Sequence, residues 1–335
     1  MAVNFKPAQN ASPEASSSSY YIIPPEGGEP IRYRRVSKFI SVLGDNENLV
    51  RRDMRYAAVG AVKYYSTAIN ELDIESDKQE LDKVIERAAR KAGKWDAADY
   101  GTAVHAWTED TDNGVPFARG SHGRAVSALK WGPERMFNEN YEDIYNDVAA
   151  YILLAEAHGL KFERAEATIV LDEYHVAGTL DRLGYVAEWS PAYCCDKKHV
   201  LDVKTGSVDF GRMEKTMQFA AYAKSKLYNH NTGERTEHGA CLKTAYIIHL
   251  PARKARPSLI PVPLERGLIR LDMAHEIWEE RKRKHMWKVY NTDAWITSQI
   301  ASMTTEDELT EFYYRTSSLW TEDHAEQATN KAKEF

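Results

Sequence analysis

Cysteine is scarce in this sequence of 335 residues, which contains only Cys194, Cys195 and Cys241. Two adjacent cysteines and one distant cysteine do not have the even number and spacing of a disulfide framework. They also fall short of the four thiolates of a typical iron–sulfur cluster or structural zinc site. The cysteine content therefore favours a reducing, cytosolic environment over a secreted, disulfide-rich fold.

Long apolar runs are absent as well. No stretch approaches the ~20 apolar residues that a membrane-spanning helix requires, and the opening residues, MAVNFKPAQN, lack the apolar core of a signal peptide. We therefore expect a soluble protein that is not exported and has no membrane partner. An excess of basic residues is also absent, since the formal net charge is −6, so any contact with nucleic acid must come from local basic patches.

What the sequence does contain is enough apolar material for a substantial core, with 43% hydrophobic residues. Residues 1–30 are rich in serine, proline, glycine and glutamate, which predicts a flexible N-terminal arm. We find no internal repeat and no convincing linker after this arm. We therefore expect one domain over 31–300, with its motifs within 100–250, and an acidic, partly helical segment over 301–335.

The hydrophobic patterning predicts helices and strands in a mixed order. Helical spacing occurs over 81–95, 142–159, 208–229 and 268–290, and strand-like runs occur over 166–172, 175–189, 199–205 and 241–250, with a partner for the last at SLIPVPL. Helices are thus followed by three strands, a helix, a strand and a helix. This order predicts an α/β fold in which a central mixed sheet is flanked by helices, with helical additions at both ends.

The stretch VLDVKTG places an acid and a lysine on one face of an apolar strand, because Asp202 and Lys204 alternate with apolar positions. Asp181 occurs in the preceding strand, GTLDRL. Neighbouring strands lie about 4.8 Å apart, so the two carboxylates can converge on one cation. Mg²⁺ and Mn²⁺ prefer such oxygen ligands. A lysine beside them can hold an attacking water or stabilise charge on a phosphate, which predicts phosphodiester cleavage.

Each of these features also has an ordinary structural explanation. A D-x-K triplet alone is more often a salt bridge on an edge strand. An acid in the apolar run around Asp181, however, is uncommon unless it is paired or bound to a metal, and Gly178 permits a close backbone approach. His105, in GTAVHAW on a predicted short helix, is by itself more often a core or surface residue than a ligand. Gln218 and Tyr222 share a helix face, which alone indicates only an amphipathic helix.

Taken together, these residues resemble the PD-(D/E)XK nuclease superfamily, and within it the RecB-like exonucleases, which include CRISPR-associated and bacteriophage-encoded enzymes. The family pattern is G-x-x-x-H on a helix, an acid on the first strand, G-x-x-D, D/E-x-K and then Q-x-x-x-Y. The matching positions are Gly101, His105, Glu166, Gly178, Asp181, Asp202, Lys204, Gln218 and Tyr222. Each motif is weak, but five motifs in the correct order are specific. The resemblance covers residues 100–225 in detail and implies a restriction-endonuclease-like core.

The resemblance implies a role for each position. Asp181 and Asp202 would bind a catalytic Mg²⁺ or Mn²⁺, together with the Val203 carbonyl and His105, whose imidazole favours Mn²⁺. Lys204 would orient or activate the attacking water.

Three further positions have implied roles around this centre. Glu166 would ligate a second metal ion or a water bound to the metal. Gln218 and Tyr222 would position the DNA backbone or brace the lysine.

The cysteines depart from the pattern of many CRISPR-associated relatives. Those proteins hold an iron–sulfur cluster with one cysteine ahead of the nuclease core and three near the C-terminus, and the corresponding portions of this sequence contain none. We therefore expect no iron–sulfur cluster and interpret the cysteines as packing or loop residues. The C-terminal part would instead be held by packing through Trp278, Trp287 and Trp320.

Four groups of basic residues are candidates for contacts with phosphates. We expect Arg51, Arg52 and Arg55, which precede the helix of His105, to face DNA, whereas we interpret the run 281–284 as a solvated helix face. The other two groups are Arg32, Arg34, Arg35 and Lys38, and Arg253, Lys254 and Arg256. The basic segment 111–135 is either a lid over a strand end or a surface loop.

The sequence therefore predicts a metal-dependent deoxyribonuclease, with an exonuclease favoured, that acts in DNA recombination, repair or phage replication. Its partners would be single- or double-stranded DNA and a recombination protein or helicase, and its location would be the cytoplasm, that of the host for a phage protein. The alternatives are a catalytically silent nucleic-acid-binding or assembly subunit of the same fold, a sequence-specific endonuclease, and a small-molecule hydrolase or structural α/β protein. The motifs leave open the polarity of digestion, DNA versus RNA, the number of metal ions and the oligomeric state.

Overall fold

A mixed β-sheet forms the centre of the larger of two units of the chain. The computed structural model describes residue 16 and residues 18–120, 133–283 and 292–335. These fall into two units, Met1–Glu279 and Glu280–Phe335, and the sheet belongs to the first. Its described strands are β1 Ser19–Ile22, β2 Ile31–Arg35, β3 Lys161–Leu171, β4 Val176–Tyr185, β5 His199–Lys204, β6 Lys226–Tyr228, β7 Arg235–Glu237, β8 Thr244–His249 and β9 Ser258–Pro263.

The strand order across the sheet is β7-β6-β3-β4-β5-β8-β9, with β2 also beside β4 and β1 beside β2. Strands β3, β4 and β5 form an antiparallel series, β5 then runs parallel to β8, and β8 pairs antiparallel with β9. Parallel neighbours require a crossover connection, and the chain between β5 and β8 contains helix α7, Arg212–Lys224.

Helices cover the sheet. In the first unit they are α1 Val36–Ile40, α2 Glu47–Gly60, α3 Ser66–Asn70, α4 Lys78–Lys91, α5 Asp96–Asp112, α6 Pro133–His158, α7, and α8 Glu265–Glu280, and a π-helical turn, Ala61–Tyr65, joins α2 to α3. None of the helices among the described residues combines the length and hydropathy that crossing a bilayer requires.

Alternation along β5 sends successive side chains into two separate cores, because neighbouring residues of a strand point to opposite faces. Val200 packs in the core that includes residues of α1, α7 and α8, whereas Leu201 and Val203 pack in the core that includes residues of α5 and α6. Trp107 of α5 is 2% exposed and lies in the second core. The centre of the sheet is therefore buried on both sides.

The predicted α/β class, with a mixed sheet flanked by helices, is confirmed. The predicted strands correspond to β3, β4, β5, β8 and β9. The helix predicted over 208–229 ends earlier, at Lys224, because Ser225 has an extended backbone and its Oγ donates a hydrogen bond of 2.7 Å to the Tyr222 carbonyl. The chain then forms β6 instead of continuing as a helix.

Part of the predicted flexible arm over 1–30 is a strand. Ser19–Ile22 pairs with β2, and the side chains of Tyr20 and Ile22 are buried in a small cluster with Tyr33. The run YYII is aromatic and β-branched, which favours a strand over the composition of its surroundings. Residues 1–15 and 17 lie outside the described residues.

The second unit contains the helices α9 Thr292–Ser302, α10 Glu306–Thr316 and α11 Glu322–Ala332. They enclose a core of Ile296, Ile300, Leu309 and Phe312, with Trp320 packed against it. The division at Glu279 and Glu280 differs from the expected limit at 300, and the domain limits at 30 and 300 stay predictions. Residues 121–132 of the basic segment, Lys284 and Trp287 lie outside the described residues.

Candidate active site

Two buried carboxylates lie side by side where the pairing of β4 with β5 ends. The last paired residues are Arg182 and Leu201, and the next residues along the two strands are Asp181 and Asp202. Beyond that point the backbone N–H of Val203 donates a hydrogen bond of 2.8 Å to Asp181 Oδ2. Asp181 and Asp202 are only 8% and 7% exposed. The strands therefore bring together the two acids that the sequence motifs single out.

His105 reaches the first of these carboxylates from α5. Its Nδ1 lies 3.6 Å from Asp181 Oδ2. Burial alone would lower the pKa of His105, but the Asp181 carboxylate outweighs this effect and raises it. Gly101, one turn earlier, allows this approach, because a Cβ there would lie 2.8 Å from Thr205 Oγ1, just past the end of β5. The first motif thus has a packing reason for its glycine.

Lys204 lies against the second carboxylate. Its Nζ forms an ion pair with Asp202 Oδ2 at 2.6 Å. Asp202 Oδ2 is buried, and among the described residues Lys204 is its charged partner. Burial raises the pKa of Asp202, with Lys204 opposing this shift and Asp181 adding to it. This buried oxygen therefore depends on the Lys204 ammonium for its counter-charge.

Arg182, which no sequence motif singled out, stabilises the ionised form of Asp181. Its side chain is fully buried, with Nη1 2.7 Å from Asp181 Oδ1 and Nε 2.6 Å from Asp112 Oδ2. Nη2 donates a further hydrogen bond of 2.9 Å to Thr108 Oγ1. Burial would raise the pKa of Asp181, but Arg182 and then His105 hold it well below its usual range. An arginine inside an apolar strand indicates acidic partners, and this signal was available in GTLDRL.

Glu166 lies on β3 opposite Asp181. The pairs Ala165 with Arg182 and Ala167 with Leu180 flank this position, and Glu166 itself has a φ of 50°, which is unusual for a residue other than glycine.

The surroundings of Glu166 favour its protonated form. The side chain of Glu166 is in part exposed to solvent, but the protein around it removes enough water to raise its pKa to about 7. The negative charges of Asp181 and Glu109 add to this shift. Glu109 was not singled out from the sequence, yet it follows His105 by four residues and therefore shares its helix face.

Helix α7 contributes a polar face to the same region. Gln218 Nε2 donates a hydrogen bond of 3.1 Å to Tyr222 Oη. Gly178 makes room for the tyrosine ring, because a Cβ there would lie 3.1 Å from Tyr222 Cε1 and 3.0 Å from Val36 Cγ2. Burial raises the pKa of Tyr222, and the charge of Asp202 adds to this effect. The fifth motif is thus close to the second acid.

Lys215 of α7 is a further cation near this centre, and it belongs to none of the sequence motifs. Burial lowers its pKa, and repulsion by Lys204 adds to this effect while Asp202 opposes it. Lys215 precedes Gln218 by three residues and therefore lies on the same face of α7. Two ammonium groups thus share the field of the Asp202 carboxylate.

The predicted DNA-binding arginines lie elsewhere, on α2. Arg51 pairs with Glu47 at 2.5 Å and Arg52 pairs with Asp53 at 2.9 Å. A surface pocket of about 370 Å³ is lined by Arg52, Arg55, Tyr56, Val59 and Ala92. No residue of the acidic centre lines this pocket, so a role of Arg51 and Arg52 in DNA binding stays a prediction.

The donor set of the acidic centre suits a hard divalent cation. It offers two carboxylates, both largely buried, and one imidazole 3.6 Å from the first of them. Oxygen-rich sets of this kind favour Mg²⁺ and Mn²⁺. The set is not fully converged: in the part of the chain that the structure describes, the only three potential ligand side chains whose ligand atoms all lie within 4.8 Å of one another are cysteines.

Comparison with known proteins assigns no family to this centre. No protein-family model matches the chain, and no curated protein matches its sequence.

Proposed function

We propose that this chain is a divalent-metal-dependent deoxyribonuclease of the PD-(D/E)XK superfamily, with an exonuclease of the RecB-like branch as the favoured form. The observation that carries the proposal is the placement of Asp181 and Asp202 on adjacent strands, both buried, with His105 at one carboxylate and Lys204 at the other. Five weak motifs thus meet in one region of the fold, which chance matches would not be expected to do.

The sheet topology supports the same proposal. Three antiparallel strands, β3 to β5, are followed by the crossover helix α7 and by β8, which runs parallel to β5. We assign this succession to a restriction-endonuclease-like core, with β1, β2, β6, β7 and β9 as additions. The acids lie where the pairing of β4 with β5 ends, one residue beyond the last pair of Arg182 with Leu201.

Asp181, Asp202, His105 and the carbonyl of Val203 are the groups that would hold the cation. A bound Mg²⁺ or Mn²⁺ would supply Lewis acidity for a phosphoryl oxygen and lower the pKa of a water. The protein prepares this site by keeping Asp181 ionised through Arg182.

Two lysines supply fixed positive charge. Lys204 and Lys215 can stabilise negative charge that develops on the phosphoryl oxygens, because ammonium groups beside a buried carboxylate are poorly screened by water. Glu166, with its pKa raised to about 7, can hold or release a proton near neutral pH. Gln218 can offer its amide to the DNA backbone, and the buried Tyr222 would hold that amide in place through their hydrogen bond.

Digestion of labelled DNA tests the proposal. Linear single- and double-stranded DNA, labelled at either end, and closed circular duplex are incubated with the protein in Mg²⁺, Mn²⁺ or EDTA. We expect digestion of linear DNA in either metal and none in EDTA. Asp202→Asn and Lys204→Met should each lower the rate by at least about 100-fold. The matched control is Asp209→Asn, which removes an exposed acid that pairs with Arg212 and lies outside the acidic centre.

The outcomes separate the alternatives. Conversion of closed circles to linear DNA would show that the protein is an endonuclease and not an exonuclease. Binding of DNA without digestion in either metal would favour the silent subunit. If Asp202→Asn digests DNA as fast as the wild type and Asp209→Asn, the acidic centre is not the site of the activity.

A further inference from the structure

We propose that the chain has a second, structural metal site, in which Cys194, Cys195, Cys241 and His199 bind one Zn²⁺ ion. The site lies at the start of β5, whereas Asp202 and Lys204 lie at its end. It would join the loop between β4 and β5 to the segment that leads into β8. The proposal is independent of the nuclease function, because it uses none of the residues of the acidic centre.

The three sulfurs are already grouped as ligands of one ion would be. The Sγ atoms all lie within 4.8 Å of one another, and those of Cys195 and Cys241 are 3.6 Å apart. A tetrahedral zinc site with Zn–S bonds of about 2.3 Å requires sulfurs about 3.8 Å apart. Cysteines from distant parts of the sequence thus meet at nearly the spacing that the ion requires.

His199 supplies a fourth donor with a defined orientation. The residue is fully buried, and its Nδ1 lies 2.8 Å from the carbonyl oxygen of Thr244. Nε2 has a longer contact, 3.4 Å, with the carbonyl oxygen of Cys195. Because the contact of Nδ1 with Thr244 is the shorter of the two, we place the proton of the neutral ring on Nδ1, which leaves the lone pair of Nε2 for a metal ion. Nε2 lies 4.0 Å from Cys195 Sγ. Zinc-binding histidines are commonly oriented in this way, by a backbone carbonyl on the other ring nitrogen.

The ring must move closer to the sulfurs to complete the site. A tetrahedral ion would hold Nε2 about 3.6 Å from each sulfur, and Nε2 does not yet lie within 4.8 Å of all three sulfurs. Cys241 is already arranged as a thiolate ligand, since the N–H of Lys243 donates to its Sγ at 3.4 Å. The donor set of three thiols and an imidazole selects Zn²⁺ over Mg²⁺, which prefers oxygen.

The site has a clear structural use. The N–H of Cys241 donates a hydrogen bond of 2.7 Å to the Lys198 carbonyl, and Ala240 forms a bridge with Lys198 just before β5 begins. A zinc ion at the cysteines would therefore fix the ends of β5 and β8 where their parallel pairing starts. Structural zinc sites contribute directly to folding stability in this manner.

Metal content and cobalt substitution test the proposal on the full chain. The protein is purified without a metal-affinity tag, in a mild reductant, and passed through gel filtration in EDTA to remove weakly held cations. We expect one zinc per chain by mass spectrometry. Replacement by Co²⁺ should give the thiolate charge-transfer band and the visible bands of a tetrahedral site. A thiol-modifying mercurial should release the zinc from the wild-type protein, a measurement that needs no variant.

Variants locate the ion. Replacing all three cysteines with serine should abolish zinc retention, and His199→Ala should weaken it. The matched control is His158→Gln, since His158 Nδ1 lies 2.8 Å from Ser190 Oγ in the same loop and we assign it no role at the metal.

Several results would overturn the site. These are a wild-type protein that retains no zinc, retention of zinc by the triple serine variant, and iron with acid-labile sulfide in place of zinc. A disulfide between Cys195 and Cys241 in protein purified under these reducing conditions would also overturn it. A loss of nuclease activity alone does not bear on the site, so the two proposals fail separately.

Discussion

Replacing Arg182 with methionine should remove a large part of the stability of the sheet. The guanidinium is fully buried and lies between Asp112 and Asp181, at 2.6 Å and 2.7 Å from their carboxylate oxygens. It also lies over the rings of Tyr151 and Phe162, with centroid distances of 5.5 Å and 5.8 Å. Removing this one cation leaves the buried carboxylate of Asp112 without its counter-charge and leaves that of Asp181 with His105 alone.

The expected loss follows from the burial of these groups. Removing one partner of a buried ion pair costs about 3–5 kcal/mol, and the total stability of a folded protein is about 5–15 kcal/mol. Methionine keeps much of the apolar contact with Tyr151 and Phe162, so the loss reports mainly on charge. We therefore expect Arg182→Met to lower the free energy of unfolding by about 3–5 kcal/mol.

Urea denaturation in EDTA, followed by circular dichroism and tryptophan fluorescence, measures this loss. The matched control is Arg119→Met, which removes an arginine paired with Glu142 at 2.6 Å. Both of those side chains are more than half exposed, at 62% and 61%, and exposed pairs contribute little to stability. The control should leave the denaturation midpoint unchanged.

Asp112 provides an internal check on the cause. Burial already raises its pKa in spite of Arg182, and without the arginine it should rise further above the unfolded value of about 3.9. A group whose folded pKa is raised takes up a proton more readily in the folded state, so lowering the pH stabilises the variant. The loss in the free energy of unfolding caused by Arg182→Met should therefore be smaller at pH 5 than at pH 7. Adding Asp112→Asn to this variant should recover part of the loss. If Arg182→Met is as stable as Arg119→Met, the buried charges do not have the role assigned to them.

Three other results are expected. Gly101→Ala should destabilise the fold by about 1–3 kcal/mol, since the new Cβ would lie 2.8 Å from Thr205 Oγ1, and Thr205→Ala should relieve the loss; an unchanged loss would contradict the packing reason. Burial would raise the pKa of Asp172, but hydrogen bonds from Arg235 and Tyr33 lower it. The ionised Asp172 therefore stabilises the fold above about pH 4, and this contribution is lost as the pH falls further. The difference in urea midpoint between wild type and Asp172→Asn should thus shrink between pH 5 and pH 3. His105→Asn should raise the Mn²⁺ concentration needed for DNA digestion more than the Mg²⁺ concentration, because imidazole favours Mn²⁺; equal changes would argue against His105 as a ligand.

The strands that carry the motifs could be predicted because their local signals agree with the fold. In VLDVKTG, the apolar positions Leu201 and Val203 alternate with Asp202 and Lys204, and the structure buries the apolar pair against α5 and α6. The run YYII at β1 has an equally local signal, but the serine, proline and glycine around it indicated a flexible arm. Composition averaged over 30 residues concealed a strand of four.

The partners that set the charges of the site could not be predicted in the same way. Arg182 becomes important only because α5 places Asp112 and Thr108 beside it, and those contacts join residues that are about 70 positions apart in the chain. Lys215 and Glu109 share helix faces with motif residues, and that local spacing could have identified them. The cysteine cluster depends on the pairing of β5 with β8, which no single motif encodes.

Strand β5 connects the two proposed metal sites. Asp202 and Lys204 face one side of the strand and Leu201 and Val203 the other, so a slip of one residue against β8 would exchange the acids with the core. The parallel pairing opposes Leu201 to Tyr246 and Asp202 to Ile247. A zinc ion held by His199 and the cysteines would hold this register from the start of the strand. The thiol and imidazole ligands at one end of β5 would then fix the position of the carboxylate ligands at the other end.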